Sequence, residues 1–173
     1  MSIIGSFATG LWTPASDINI MYTNTDAKSH VNIDGTLEKM QKLLKNKTKH
    51  LQIAKLYIKR SPKFPKLKVE LPVNGKNRKL DISVFHKNTT SCKYVCFITE
   101  QLQKYPYIRP IFFFLQKLLV HFRMDSMQKG GIQNYLLFLM IWISAEEFKD
   151  EQIDDIGAIF SKVMENLAHR IQY

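Results

Sequence analysis

Apolar positions recur along this chain with two different periods, and the change falls near residue 90. Before it the runs are short and alternating. Ser2 to Ile4 is a strand fragment, and Ala15 to Tyr22 puts Ile18 and Ile20 on one face. Leu51 to Lys59, Lys66 to Leu71 and Arg78 to Phe85 read as three further strands. Asn74-Gly75 lies between the last two. It is a two-residue hairpin signal, because both turn positions tolerate positive φ. Phe7 to Leu11 predicts a first helical turn that Pro14 ends. Asp34 to Lys49 predicts a longer helix capped by Asp34, with Leu37, Met40, Leu43 and Leu44 at helical spacing.

From Lys93 onward the period is helical. Ile108 to Met124 carries Pro110 in its first turn, where proline is tolerated, and Gly130-Gly131 breaks the chain. Ile132 to Phe148 is a second apolar helix. Glu151 to Ile171 is amphipathic, with Ile153, Ile156, Phe160, Val163, Leu167 and Ile171 spaced by three and four. The acids Glu146, Glu147, Asp150, Glu151, Asp154 and Asp155 gather where that helix starts and read as a solvated end. Strands followed by helices predict an α+β fold in two lobes, 1–90 and 91–173.

Charge changes the picture. The 173 residues carry a formal net charge of +10, and the excess is confined to one third of the chain. Between Lys28 and Lys87 stand sixteen Lys and Arg against four acids. That bias favours a polyanionic partner, RNA before membrane, because no lipidation motif or amphipathic anchor accompanies it. The longest apolar run, Tyr135 to Ile143, is too short to span a bilayer, and the first residues show no secretory pattern. Cys92 and Cys96 are the only cysteines. Without a Cys or His partner at finger spacing they predict ordinary buried thiols rather than a zinc site.

The chemistry is concentrated near the start. Gly5-Ser6 offers close backbone approach, a hydroxyl and an N–H, features that suit phosphate. Asp17 and Asn19, two apart on a strand, share a face, and Asp81 stands in the later strand RKLDISVF. Oxygen-bearing side chains on one face, with a third on a neighbouring strand, can hold two divalent cations against a triphosphate. Leu80, Ile82, Val84 and Phe85 predict a buried Asp81, and a buried carboxylate needs a cation or donors.

The stretches GSFATGL, P-x-SD-x-N and LDISVF resemble the signature of the polymerase β-like nucleotidyltransferases. Within them they look most like the nuclear poly(A) RNA polymerases that work with the exosome. YPYIRPIFFFLQKLL and GGIQNYLLFLM extend the match, in the family's order, over about residues 4 to 144. The resemblance implies a palm-like mixed sheet followed by a helical central domain, with family segments expected before and after it that this chain lacks. It implies transfer of AMP from ATP to an RNA 3′ end, with Mg²⁺ or in its place Mn²⁺. RNA-surveillance proteins would be partners, there would be no membrane, and a nuclear location would come ahead of a cytoplasmic one. Asp17, Asn19 and Asp81 would be the catalytic metal ligands. Gly5, Ser6, Lys117, Asn134 and Tyr135 would bind nucleotide, Tyr135 by stacking on the base.

Three positions depart from the family's pattern. Asn19 replaces a carboxylate that bridges both metals. Gln116 stands where the family has a triphosphate-binding lysine, and Lys117 is turned from it by about 100° on a helix. Asn134 replaces a serine. These departures set a weakened enzyme against a second reading, a catalytically inactive relative that binds RNA, nucleotide or a partner protein.

Overall fold

The computed structural model describes residues 1–23, 32–47, 52–61, 65–85, 91–125, 130–148 and 155–171. Its elements run β1 (Ser2–Ile4), α1 (Ser6–Thr9), β2 (Ile18–Thr23), α2 (Ile33–Lys47), β3 (Lys55–Lys59), β4 (Lys66–Val73) and β5 (Lys76–Phe85). Four helices follow: α3 (Ser91–Lys104), α4 (Ile108–His121), α5 (Asn134–Glu147) and α6 (Ile156–Ile171). The strands form one mixed sheet in the order β1-β2-β5-β4-β3, parallel only between β2 and β5. The expected α+β class and mixed sheet are therefore present. The chain divides into two compact units, Met1–Ile98 and Thr99–Tyr173, and the division falls within α3.

In the first unit, alternation sorts the sheet into two faces. Leu67, Val69, Ile82 and Val84 are buried on one face around Leu37 of α2, with Ile20, Leu56, Ile58 and Leu80 packed about them. The helix presents Ile33, Leu37, Met40 and Leu44, spaced by four, three and four. Leu43, expected among these, is instead 53% exposed, because it lies a quarter-turn outside that stripe. The cap also differs from expectation. Asn32, not Asp34, accepts the Gly35 N–H through Oδ1 at 2.9 Å, so the helix begins one residue earlier. Asn74 and Gly75 both take positive φ, 50° and 73°, and close the β4–β5 hairpin as expected.

The short helix α1 closes on Gly10, at φ 73°, before Pro14 is reached. The loop beyond it is pinned at two points. Ser16 Oγ accepts the Thr13 N–H at 2.9 Å, and Arg78 of β5 donates to the Pro14 carbonyl. This delivers Asp17 to the start of β2 rather than inside it.

The second unit is helical. Its buried side chains include Ile108, Phe112 and Leu115 of α4, Leu137, Phe138 and Ile141 of α5, and Ile159, Val163 and Leu167 of α6. Part of the acidic group proves to be bonded rather than simply solvated. Glu146 accepts from Lys104 Nζ at 3.0 Å and the Tyr105 hydroxyl at 2.8 Å, and Asp155 caps α6 at Gly157 and Ala158. Asp150, Glu151 and Asp154 lie outside the described residues. Gly131 is required by close packing, since a Cβ there would meet the Met124 carbonyl oxygen at 2.0 Å. Cys96 is exposed, against the expected burial, and the side chain of Cys92 lies outside the described residues. Among the described residues no helix is long and apolar enough to cross a membrane.

Candidate functional site

One row of side chains crosses all five strands on the polar face of the sheet. Ile4 of β1 pairs with Asn19 of β2, Asn19 with Asp81 of β5, Asp81 with Lys68 of β4, and Lys68 with Tyr57 of β3. Side chains of directly paired residues stand on the same face. The row therefore gathers Asn19, Asp81, Lys68 and Tyr57 above the sheet, opposite the core packed on α2. The next row holds Met21, Ser83, Lys66 and Lys59.

Asp81 is 6% exposed, and its burial is compensated by protein cations. Lys68 Nζ lies 2.8 Å from Oδ1 and 3.1 Å from Oδ2, and Lys66 Nζ lies 3.3 Å from Oδ2. Burial by itself thus gives no reason to place a metal at Asp81, because two ammonium groups already answer it. Burial also works against the charge of Lys68. The hydrogen bond and charge of Asp81, then the charges of Asp17 and Tyr57, outweigh it and hold the Lys68 pKa above the ordinary lysine value. Asp17 and Asp81 line one polar cavity of about 90 Å³ together with Tyr57, Lys68, Glu70 and Lys79.

Asn19 turns its amide nitrogen toward the Asp17 carbonyl oxygen, at 3.4 Å. Gly5 stands directly against it. A Cβ on Gly5 would sit 3.3 Å from Asn19 Nδ2, and its φ of 70° is one that L side chains rarely adopt. The Gly-Ser turn and the β2 site are therefore neighbours, as the sequence order required. The half-buried Ser6 opens α1 with its hydroxyl side chain on the turn that follows Gly5.

Toward a divalent cation this donor set is acceptable but poor in charge. Carboxylates and a carbonyl oxygen are the ligands a hard cation takes, and each ionised carboxylate has about four lone-pair sites. Asp17 and Asp81 supply two negative charges, and Lys68 and Lys66 supply two positive ones. Among the described residues no group of three or more His, Cys, Asp and Glu side chains converges. The residues suit a cation that arrives bound to phosphate better than a free one.

The remaining sequence candidates belong to the second unit. Gln116 is 8% exposed and faces its interior, and Lys117 is exposed, so the lysine does point away as the helical rotation requires. Asn134 opens α5 and is exposed. Tyr135 is 39% exposed, whereas Leu137, Phe138 and Ile141 of the same helix are buried.

Lys68 is the residue that reading the sequence missed. Across a two-residue turn at 74 and 75, partners have numbers with a constant total, which sets 68 opposite 81. The hairpin signal thus already contained the ion pair.

No protein-family model matches the chain, and no curated protein sequence does. Solved structures do. The polymerase core of TRAMP, an RNA surveillance complex, superposes with a TM-score of 0.70 at 18% identity, over 95% of this chain and 49% of that one. The Cid1 poly(U) polymerase with Mg 3′-dATP bound gives 0.65 at 14% identity, over 81% of this chain and 40% of that one. The GLD-2/RNP-8 complex gives 0.68 at 14%, over 83% and 43%. The chain spans less than half the length of each. The likeness is one of fold, that of the poly(A) and poly(U) polymerase nucleotidyltransferases.

Proposed function

We propose that this chain carries the catalytic sheet of an RNA terminal nucleotidyltransferase that adds AMP from ATP to RNA 3′ ends, weakened by Asn19. The observation that carries the reading is the pairing of Asn19 with Asp81 on adjacent parallel strands, while Asp17 lines the same cavity as Asp81. Two acids facing one cavity, from the start of β2 and from β5, support a reading in which two metal ions are held for phosphoryl transfer. Asp17 and Asp81, with the carbonyl oxygen of Asn19, would hold the ions. Mg²⁺, or Mn²⁺ in its place, supplies charge stabilisation to the attacking and leaving oxygens when bound. The Gly5-Ser6 turn would face the triphosphate, and Lys68 would hold the Asp81 carboxylate in one orientation. From the second unit, Tyr135 would stack on the base, with Lys117 and Asn134 serving the nucleotide. Partners would be ATP, RNA and RNA-surveillance proteins, in the nucleus ahead of the cytoplasm.

A second reading is favoured by a specific observation. Two acids are matched by two lysines in the site, and Gln116 is buried where the resemblance implies a phosphate-binding lysine. A chain of this kind would bind RNA, nucleotide or a partner protein without catalysis. Extension of a short 3′-hydroxyl RNA with ATP and Mg²⁺ separates the two. Enzymatic addition should be detectable and should vanish in Asp17→Ala and in Asp81→Ala. Extension that survives both changes would remove the site from consideration. No extension, with ATP still bound, would leave the second reading.

A further inference from the structure

We infer that the polar face of β3 and β4 is a track for the 3′-terminal stretch of single-stranded RNA, with Tyr57 stacking on a base and Lys59 and Lys66 facing phosphates. This rests on the proposed function only for its direction, toward Asp81. The surface itself is carried by the sheet register.

An exposed tyrosine on an edge strand is ordinary in isolation. The setting of Tyr57 is not. Its chain neighbours Leu56 and Ile58 pack into the core, so the ring, 44% exposed, stands on the opposite face. That face also carries Lys55, Lys59, Lys66, Lys68 and Lys79, against only Glu70, Asp81 and, beside them, Asp17. Glu70 is engaged by Lys55 at 3.5 Å, and Asp81 by Lys68 and Lys66. Lys59 and Lys66 are directly paired across β3 and β4. Like charges in that position destabilise a sheet; Asp81 answers Lys66 at 3.3 Å, so a polyanion laid over the pair gains most at Lys59.

The spacing is suitable. Tyr57 stands in the same row as Asp81, two strands away, which at about 4.8 Å per strand separates their backbones by about 10 Å. One to two nucleotides of an extended single strand cover that distance. A base on Tyr57 and a 3′ hydroxyl near Asp81 can therefore belong to one short strand, and the polar cavity that both residues line lies between them. A flat aromatic beside paired lysines recognises a chain that carries both rings and phosphates. A duplex keeps its bases stacked inside and gains nothing from Tyr57.

The test uses the full chain and a fluorescein-labelled single-stranded oligo(A) RNA, followed by anisotropy at several salt concentrations. Tyr57→Ala should weaken binding by about five- to a hundred-fold, the range of one base–aromatic stack, while Tyr57→Phe retains it. Lys59→Gln should lower the slope of log affinity on log salt by about 0.7, one phosphate contact on a single strand. Lys59→Gln, which lies outside the cavity of Asp17 and Asp81, should leave ATP affinity unchanged. An abasic oligonucleotide of the same length should bind the wild type as weakly as intact RNA binds Tyr57→Ala. If RNA binds all variants equally, the track is wrong while the nucleotidyltransferase reading stands. If the wild type binds ATP and no RNA, or binds an acidic peptide as tightly as RNA, the inference is overturned as well.

Discussion

Lys68 and Asp81 face each other across the β4–β5 ladder, with Nζ 2.8 Å from Oδ1, and the lysine stands where its charge also feels Asp17. It is a cation tethered to the sheet beside the two acids a metal would use. Replacing it with Met leaves the Asp81 carboxylate to Lys66 alone. Loss of one partner from a mostly buried pair is expected to destabilise the first unit by about 1–3 kcal/mol. The same change removes a competitor for the carboxylate. Titration with Mn²⁺ in the absence of nucleotide should therefore show tighter binding by Lys68→Met than by wild type. Equal or weaker binding would mean that Lys68 does not compete for this site.

The pH dependence of that pair has a definite sign. The folded pKa of Lys68 is raised above its ordinary 10.5, so its stabilising contribution is fully present below pH 10.5. It is lost as pH rises through the higher folded value. Urea midpoints for wild type and Lys68→Met should stay apart from pH 7 to 10 and converge in more alkaline solution. A gap that stays unchanged in alkaline solution would show that the charge of Lys68 contributes nothing to stability.

Most of the sheet was legible because its signals are local. The Asn74-Gly75 turn, the alternation of Leu67, Val69, Ile82 and Val84, and the helical period of α2 each act over a few residues. Caps and stripe edges were less so. Asn32 and Asp34 are both capping types, and only the bond to Gly35 decides between them. The pairing of Asn19 with Asp81 is different in kind. It joins parallel strands separated by α2 and the β3–β4 hairpin, and no local pattern specifies that register. Family resemblance suggested that these residues meet. The lysines on Asp81 were overlooked because a basic residue in a Lys-rich strand reads as solvated.

The paired glycines offer a test of the second unit. A Cβ at Gly131 would lie 2.0 Å from the Met124 carbonyl oxygen, whereas one at Gly130 meets nothing within 4 Å. Gly131→Ala must move backbone and should cost on the order of 3 kcal/mol. Gly130→Ala meets only the strain of its positive φ, about 1 kcal/mol. Thermal melts followed by circular dichroism should rank them in that order. The reverse order would place the strain at Gly130 instead.

Asn19→Asp separates a weakened metal site from an abandoned one. In the absence of metal, the change removes the amide contact to the Asp17 carbonyl and adds a negative charge beside Asp81, its paired neighbour. The metal-free protein should therefore lose stability, by roughly 1 kcal/mol for like charges directly opposite on a sheet. A divalent cation converts that repulsion into ligation, because three carboxylates suit a hard ion better than two and an amide. Mg²⁺ should raise the melting temperature of Asn19→Asp well above its metal-free value while moving wild type little. RNA 3′ extension with ATP should rise in parallel. If Mg²⁺ shifts both proteins equally and extension stays absent, Asn19 is not a ligand position and the non-catalytic reading holds. If stability responds and extension does not, the site binds metal, and the obstacle lies elsewhere, with the buried Gln116 that stands where the resemblance implies a lysine the first candidate.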